Sequence, residues 1–158
     1  MIPQIEKYPT FEDFRGSFTP LVLSRKPDES IIWDQVNVSV NTKKGTFRGM
    51  HYQQSIPQQK YVKVVQGRII DYLYDLNTNH VHFYELTNQN AIFVPKNYAH
   101  GFLTLEDNTV VTYLTEGKYD PSGEKSIPFV SIYEIYKHVY SLFDEKEIII
   151  TDKDFFGK

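Results

Sequence analysis

The chain has 158 residues, a net charge of -3, 23% charged residues and no cysteine. That length suits one domain with a substantial core, and the mild acidity argues against a nucleic-acid partner. Without cysteine there are no disulfides, zinc–thiolate sites or thiol nucleophiles.

The opening MIPQIEKYPTFEDF has no basic stretch followed by an apolar one, and no later segment is apolar enough to span a bilayer. The expectation is a cytoplasmic protein with no membrane partner. Its 12 Tyr and 11 Phe suit strands and ring-binding pockets better than helices.

The first eight residues are strand-like. In IIWDQVNVSVN (31–41), Val36, Val38 and Val40 share one face, while Gln35, Asn37, Ser39 and Asn41 share the other. The polar face is open to two readings: solvent exposure, or the lumen of a barrel where amides meet a ligand. KKGTFRGMHYQ (43–53) follows, with Lys43, Lys44, Arg48 and His51 set among two glycines. It is either a solvated basic turn or an anion site beside a base. KYVKVVQGRIIDYLYDL (60–76) reads as two strands broken at Gly67, and HVHFYELT, NAIFVP and TVVTYLTE supply three more between turn signals. Many short strands with short turns predict an all-β sandwich or barrel. Between Ser131 and Glu145, Ile132, Tyr133, Tyr136, Val139, Tyr140 and Phe143 recur at helical spacing, predicting an amphipathic helix that turns His138 to solvent.

Of the five histidines, His80 and His82 have no further ligand at metal spacing and are expected in solvent. His51 and His100 lack a third ligand too, so the site is read as free of metal. Proton chemistry remains available. Abstraction next to a carbonyl needs a base active near neutrality, which histidine is. The resulting enolate needs a cation, for which Lys60 is a candidate, and return of the proton to the other face needs an acid, for which Tyr113 is one.

QVNVSVNTKKGTFRGMHYQ, KYVKVVQGRIIDYLYD and VPKNYAHGFLTLED, with D-x-R-G-x-F at Asp13–Phe18 and Y-D-P-x-x-E at Tyr119–Glu124, occur in an order and spacing that resemble the dTDP-4-dehydrorhamnose 3,5-epimerase family of the cupin superfamily. The likeness runs over roughly residues 10 to 127 and a short stretch near residue 154. It implies a jelly-roll homodimer acting on a nucleotide-linked 4-keto-6-deoxyhexose with no cofactor. By the resemblance, His51 is the base at C3 and C5, Asp154 orients it, Lys60 stabilises the enolate with Asp71 as acidic neighbour, and Tyr113 is the opposing acid. Arg15, Gln35, Asn37 and Arg48 correspond to contacts around the nucleotide and diphosphate. His100 lines the same pocket, Tyr119 packs on the nucleobase, and Phe18 and Glu124 complete the substrate-binding set.

The chain departs from the pattern in three places. Pro20 stands where a glutamate is usual, leaving the nucleobase unassigned. SIPFVSIYEIYKHVYSLF replaces a tryptophan-containing run, so the cover of the site is rebuilt, and the loop before AIFVP is short. Three other readings compete: a 3,4-ketoisomerase on the same scaffold, a non-catalytic sugar-nucleotide module, and a metal-dependent cupin oxygenase.

Overall fold

The computed structural model describes residues 2–7, 11–14, 16–18, 33–117 and 120–157. Twelve strands are described: β1 (Gln4–Lys7), β2 (Phe11–Asp13), β3 (Gly16–Phe18), β4 (Gln35–Asn41), β5 (Phe47–Gln53), β6 (Gln59–Gln66), β7 (Ile69–Asp75), β8 (Val81–Leu86), β9 (Asn90–Val94), β10 (Tyr98–Thr104), β11 (Thr109–Glu116) and β12 (Glu124–Ser126). Two helices follow, α1 (Tyr133–Leu142) and α2 (Asp152–Phe156). Strands β1-β9-β6-β11-β4 form one antiparallel sheet and β12-β5-β10-β7-β8 the other, while β2 and β3 pair separately. The expected all-β architecture is what the chain adopts.

Alternation decides which residues meet between the sheets. Val62, Val64, Ile69, Leu73, Leu86, Ile92, Val94, Phe102 and Val111 make that inner core. Strand β7 is buried on both faces because its outer side is also covered: Ile70 and Tyr72 pack with Phe47, Met50, Leu103 and Phe129 under α1. The centre of the second sheet, β7 and β10, is thereby buried along most of its length.

Strand β4 resolves the two readings of its polar face. Its valines point outward, with Val36, Val38 and Val40 at 61%, 65% and 62% exposure. The amide face therefore looks inward, the lumen reading.

Strand β1 pairs with β9, Gln4 opposite Phe93, and forms the outer edge of its sheet. Three expectations need correction. Helix α1 is rotated by about one residue from the expected face. Ile132, Ile135 and Val139 form its buried stripe, whereas Tyr133 and Tyr136 are exposed. That rotation turns His138 onto the sheet, where its Nδ1 meets the Tyr72 hydroxyl at 2.6 Å and its ring lies 4.2 Å from that of Phe83. Burial lowers the His138 pKa accordingly. His82 is half-buried beside Tyr98, with ring centroids 6.0 Å apart, although His80 is exposed as expected.

Candidate active site

The site lies between the sheets, and strand register assembles it. On the first sheet Gln35, Thr115 and Lys60 lie opposite one another across β4, β11 and β6, and Asn37, Tyr113 and Val62 form the next row. On the second sheet Ser126, His51 and His100 are partners across β12, β5 and β10. Residues directly opposite project to the same side, so these rows face one another across the interior.

Two adjoining lobes result. One, of about 280 Å³, is lined by Gln35, Asn37, His51, Gln53, Gln58, Lys60, Tyr113, Thr115 and Glu124 among others. The second, of about 370 Å³, shares Asn37, His51, Lys60, Tyr113 and Glu124 and adds Arg48, His100, Phe102 and Asp154. Together they have the size of a small-molecule site.

His51 is held by a residue 103 positions away: its Nε2 lies 2.6 Å from Asp154 Oδ1. Asp154 is fixed in turn, since Oδ2 accepts the Gly49 N–H at 3.1 Å and Oδ1 accepts the Ser126 hydroxyl at 3.3 Å. Burial pushes the Asp154 carboxyl up, but the His51 imidazole, the Gly49 N–H and the Ser126 hydroxyl outweigh it and hold the group below the ordinary carboxylate range. An ionised Asp154 only accepts, so Nε2 carries the proton and the Nδ1 lone pair is the basic position.

Asp154 reaches His51 because the chain runs back along β5. Thr46 and Ile149 form a parallel bridge, and the Phe47 N–H donates to the Ile149 carbonyl at 2.9 Å. Gly49 serves this packing rather than a ligand. At φ +121°, a Cβ there would lie 2.5 Å from the Gly101 Cα and 2.6 Å from the His100 carbonyl oxygen. The glycine brings β5 and β10 together at the two histidines.

His100 forms a second pair of the same kind, Nε2 to Asp71 Oδ1 at 2.7 Å, with both side chains buried. Asp71 is hydrogen-bonded to His100 and also acts through space as an acidic neighbour of Lys60. Lys60 lies in both lobes with its pKa lowered to about 8, burial outweighing the opposing charges of Asp71 and Glu124. Its Nζ stands 5.8 Å from the Tyr113 ring centroid, and the Tyr113 and His100 rings are 6.4 Å apart.

Arg48 is exposed at the second lobe, where Asn41 Oδ1 accepts its Nε at 2.7 Å and steadies the guanidinium. Lys43 and Lys44 stay in an exposed turn, so the basic-turn reading holds for that half of KKGTFRGMHYQ alone. Glu124 lines both lobes and accepts from Lys153 at 3.0 Å. Phe18 belongs to β3, which pairs with β2; Arg15 and Tyr119 lie outside the described residues. Among the described residues no group of three His, Asp or Glu side chains could hold a metal ion, and no helix is long and apolar enough to cross a membrane.

Sequence reasoning overlooked Gln53, Gln58 and Thr115 in the lining. Parity could have found two of them, because Gln53 is two residues beyond His51 and Thr115 two beyond Tyr113 on their strands.

Residues 4–155 match the family model described as dTDP-4-dehydrorhamnose 3,5-epimerase. The chain belongs to that family. The match runs through the helical segment that departs from the pattern. A dTDP-4-dehydrorhamnose 3,5-epimerase of Methanothermobacter thermautotrophicus is 35% identical over 105 residues, 62% of this chain and 55% of that one. The chain spans about half the length of the curated relatives it matches first.

Among solved structures, the Bacillus anthracis dTDP-4-dehydrorhamnose 3,5-epimerase with TDP and PPi bound is 28% identical. It superposes with a TM-score of 0.74 over 96% of this chain and 90% of that one. The Legionella pneumophila dTDP-6-deoxy-D-glucose-3,5-epimerase in complex with dTDP-4-keto-L-rhamnose has a TM-score of 0.81 over 96% and 84% of the two chains. At 24% identity it bears on the fold alone, a cupin jelly roll.

Proposed function

We propose that this family member epimerises a nucleotide-linked 4-keto-6-deoxyhexose of the dTDP-4-dehydro-6-deoxyglucose type, at C3 and C5 or at C3 alone, with no cofactor. One observation carries the reading. His51, backed by an ionised Asp154, and Tyr113 line one cavity from opposed sheets, with Lys60 in the same lining. Epimerisation requires that division, a base on one face of the ring and an acid on the other. An arrangement serving only a shift between adjacent carbons on one face, as in a ketoisomerase, does not need it.

His51 Nδ1 takes the proton next to the keto group, and the imidazolium formed is stabilised by Asp154. Negative charge collects on the C4 oxygen, where the Lys60 ammonium meets it; with a pKa of about 8 the lysine is mostly protonated at pH 7 yet close to sharing its proton. Tyr113 returns a proton from the opposite side. His100 lines the second lobe with Lys60, and Asp71, buried behind it, supplies a negative charge that favours the Lys60 ammonium. Arg48 binds the diphosphate through guanidinium nitrogens left free by the Asn41 bond. Gln35 and Asn37 contact the nucleotide side of the substrate, together with Arg15, Phe18, Tyr119 and Glu124 by resemblance.

The protein works in the cytoplasm as a homodimer in which a second copy covers the outward valines of β4. Val38→Glu is expected to give a monomer by light scattering. The activity itself is tested by incubation with dTDP-4-keto-6-deoxyglucose in D2O and proton NMR. Deuterium at C3 and C5 is expected for the 3,5-epimerase, and at C3 alone for the narrower enzyme. No incorporation into any 4-keto sugar nucleotide would overturn the reading.

A further inference from the structure

Beyond the acid and the base, each of their strands sends one more polar side chain inward. Gln53 follows His51 on β5 and lies opposite Glu124 in register; Thr115 follows Tyr113 on β11 and lies opposite Lys60. Both line the first lobe and neither lines the second, so they stand away from Arg48. They are 7% and 3% exposed. Among the described residues, Gln53 Oε1 and Thr115 Oγ1 are buried without a hydrogen-bond partner.

A buried polar atom left unpaired destabilises a fold, whereas an apolar group of the same shape at that position does not. Two such atoms in one lining mark it as built for a polar group that arrives from outside. A sugar hydroxyl fits both at once: its O–H donates to the amide oxygen of Gln53, and its lone pair accepts from the hydroxyl of Thr115.

We propose that Gln53 and Thr115 form a subsite that reads the C3 hydroxyl of the substrate, an inference that rests on the epimerase reading above. Register selects the carbon. Thr115 and Lys60 are direct cross-strand neighbours, so a C4 oxygen at Lys60 brings a substituent of an adjacent ring carbon to Thr115. C5 carries a methyl group, which can pair with neither atom, whereas C3 carries a hydroxyl. The subsite makes the enzyme select a 3-hydroxy over a 3-deoxy sugar, since the deoxy sugar leaves both buried groups unpaired.

The test compares dTDP-4-keto-6-deoxyglucose with its 3-deoxy analogue, reading solvent-deuterium incorporation at each carbon that the wild-type enzyme exchanges. Wild type should favour the hydroxylated sugar by about ten- to a hundredfold in kcat/KM. Gln53→Met and Thr115→Val should lose most of that preference, mainly on the hydroxylated substrate, and melt at or above the wild-type temperature. A wild type that exchanges both sugars equally overturns the subsite and leaves the epimerase standing. The same holds for variants that keep the preference, or that melt lower because the protein itself was holding these side chains. A wild type that exchanges neither sugar overturns the epimerase reading, and the subsite with it.

Discussion

Asp154→Asn removes a charge and almost no volume, which makes it the sharpest probe of how His51 is aimed. The Gly49 N–H demands an acceptor at 3.1 Å, so the new amide must turn its oxygen there. Its NH2 group then faces His51 Nε2, which stood 2.6 Å from a carboxylate oxygen in the parent. Two donors cannot share that gap, so the imidazole proton moves to Nδ1, the nitrogen that would abstract the substrate proton. Flipping the amide the other way sets its NH2 against the Gly49 N–H and leaves a buried donor unpaired. The wrong tautomer beneath a catalytic histidine costs on the order of 10²- to 10⁴-fold in kcat, about 3–5 kcal/mol of transition-state stabilisation. Binding should change little, because Asp154 holds the histidine and not the diphosphate. NMR of deuterium incorporation gives kcat and KM, calorimetry with dTDP gives binding, and a thermal melt checks the fold. Turnover within tenfold of wild type in a folded variant would refute the reasoning, as would a loss confined to KM.

Lys60→Met should abolish exchange yet raise the melting temperature at neutral pH. The lysine's folded-state pKa is lowered, so charging it opposes folding below pH 8, and that penalty fades between pH 8 and 10.5; the gain measured by melts across this window should shrink in step. For the same reason the wild-type exchange rate should fall above about pH 8, as the ammonium that meets the enolate is lost. Tyr113→Phe should keep proton abstraction but yield less inverted product, and unaltered inversion by NMR would remove the phenol from the mechanism. Ile135→Ala, at a fully buried position on the inner face of α1, should cost about 2–5 kcal/mol in a denaturant titration. Gly49→Ala should unfold the protein or strip its activity, given a Cβ 2.5 Å from a neighbouring Cα; a soluble, fully active variant would contradict the described approach of β5 and β10.

The sequence was most legible where a rule is local. Strand alternation separated Val36, Val38 and Val40 from Gln35 and Asn37, and Gly67 divided β6 from β7, since period and turn chemistry act within a few residues. The face of α1 was misread because Tyr133 and Tyr136 are apolar enough to mimic a core stripe, and only docking shows that Ile135 and Val139 carry the burial. Asp71 was legible as an acidic neighbour of Lys60, but its hydrogen bond to His100, 29 residues on, was not. Strand pairing makes that choice, and pairing register across sheets is not written in any one segment. Asp154 came from resemblance alone, being 103 residues from its histidine. Gln53 and Thr115 escaped notice because a polar residue on a strand advertises nothing until its neighbours fail to pair with it.

The segment that clasps β5 also sets a timetable. Of the described groups proposed for catalysis, Asp154 is the latest in chain order, and the contacts of Ile149 with Thr46 and Phe47 hold the segment leading to it along β5. During synthesis the cavity can close around Lys60, Tyr113 and His51 while the imidazole still has no carboxylate to fix its tautomer. A nascent chain can therefore be folded over most of its length and catalytically silent. Acquisition of activity then follows the docking of a few residues rather than the closure of the sheets, and a ribosome-release experiment would see the two as separate events.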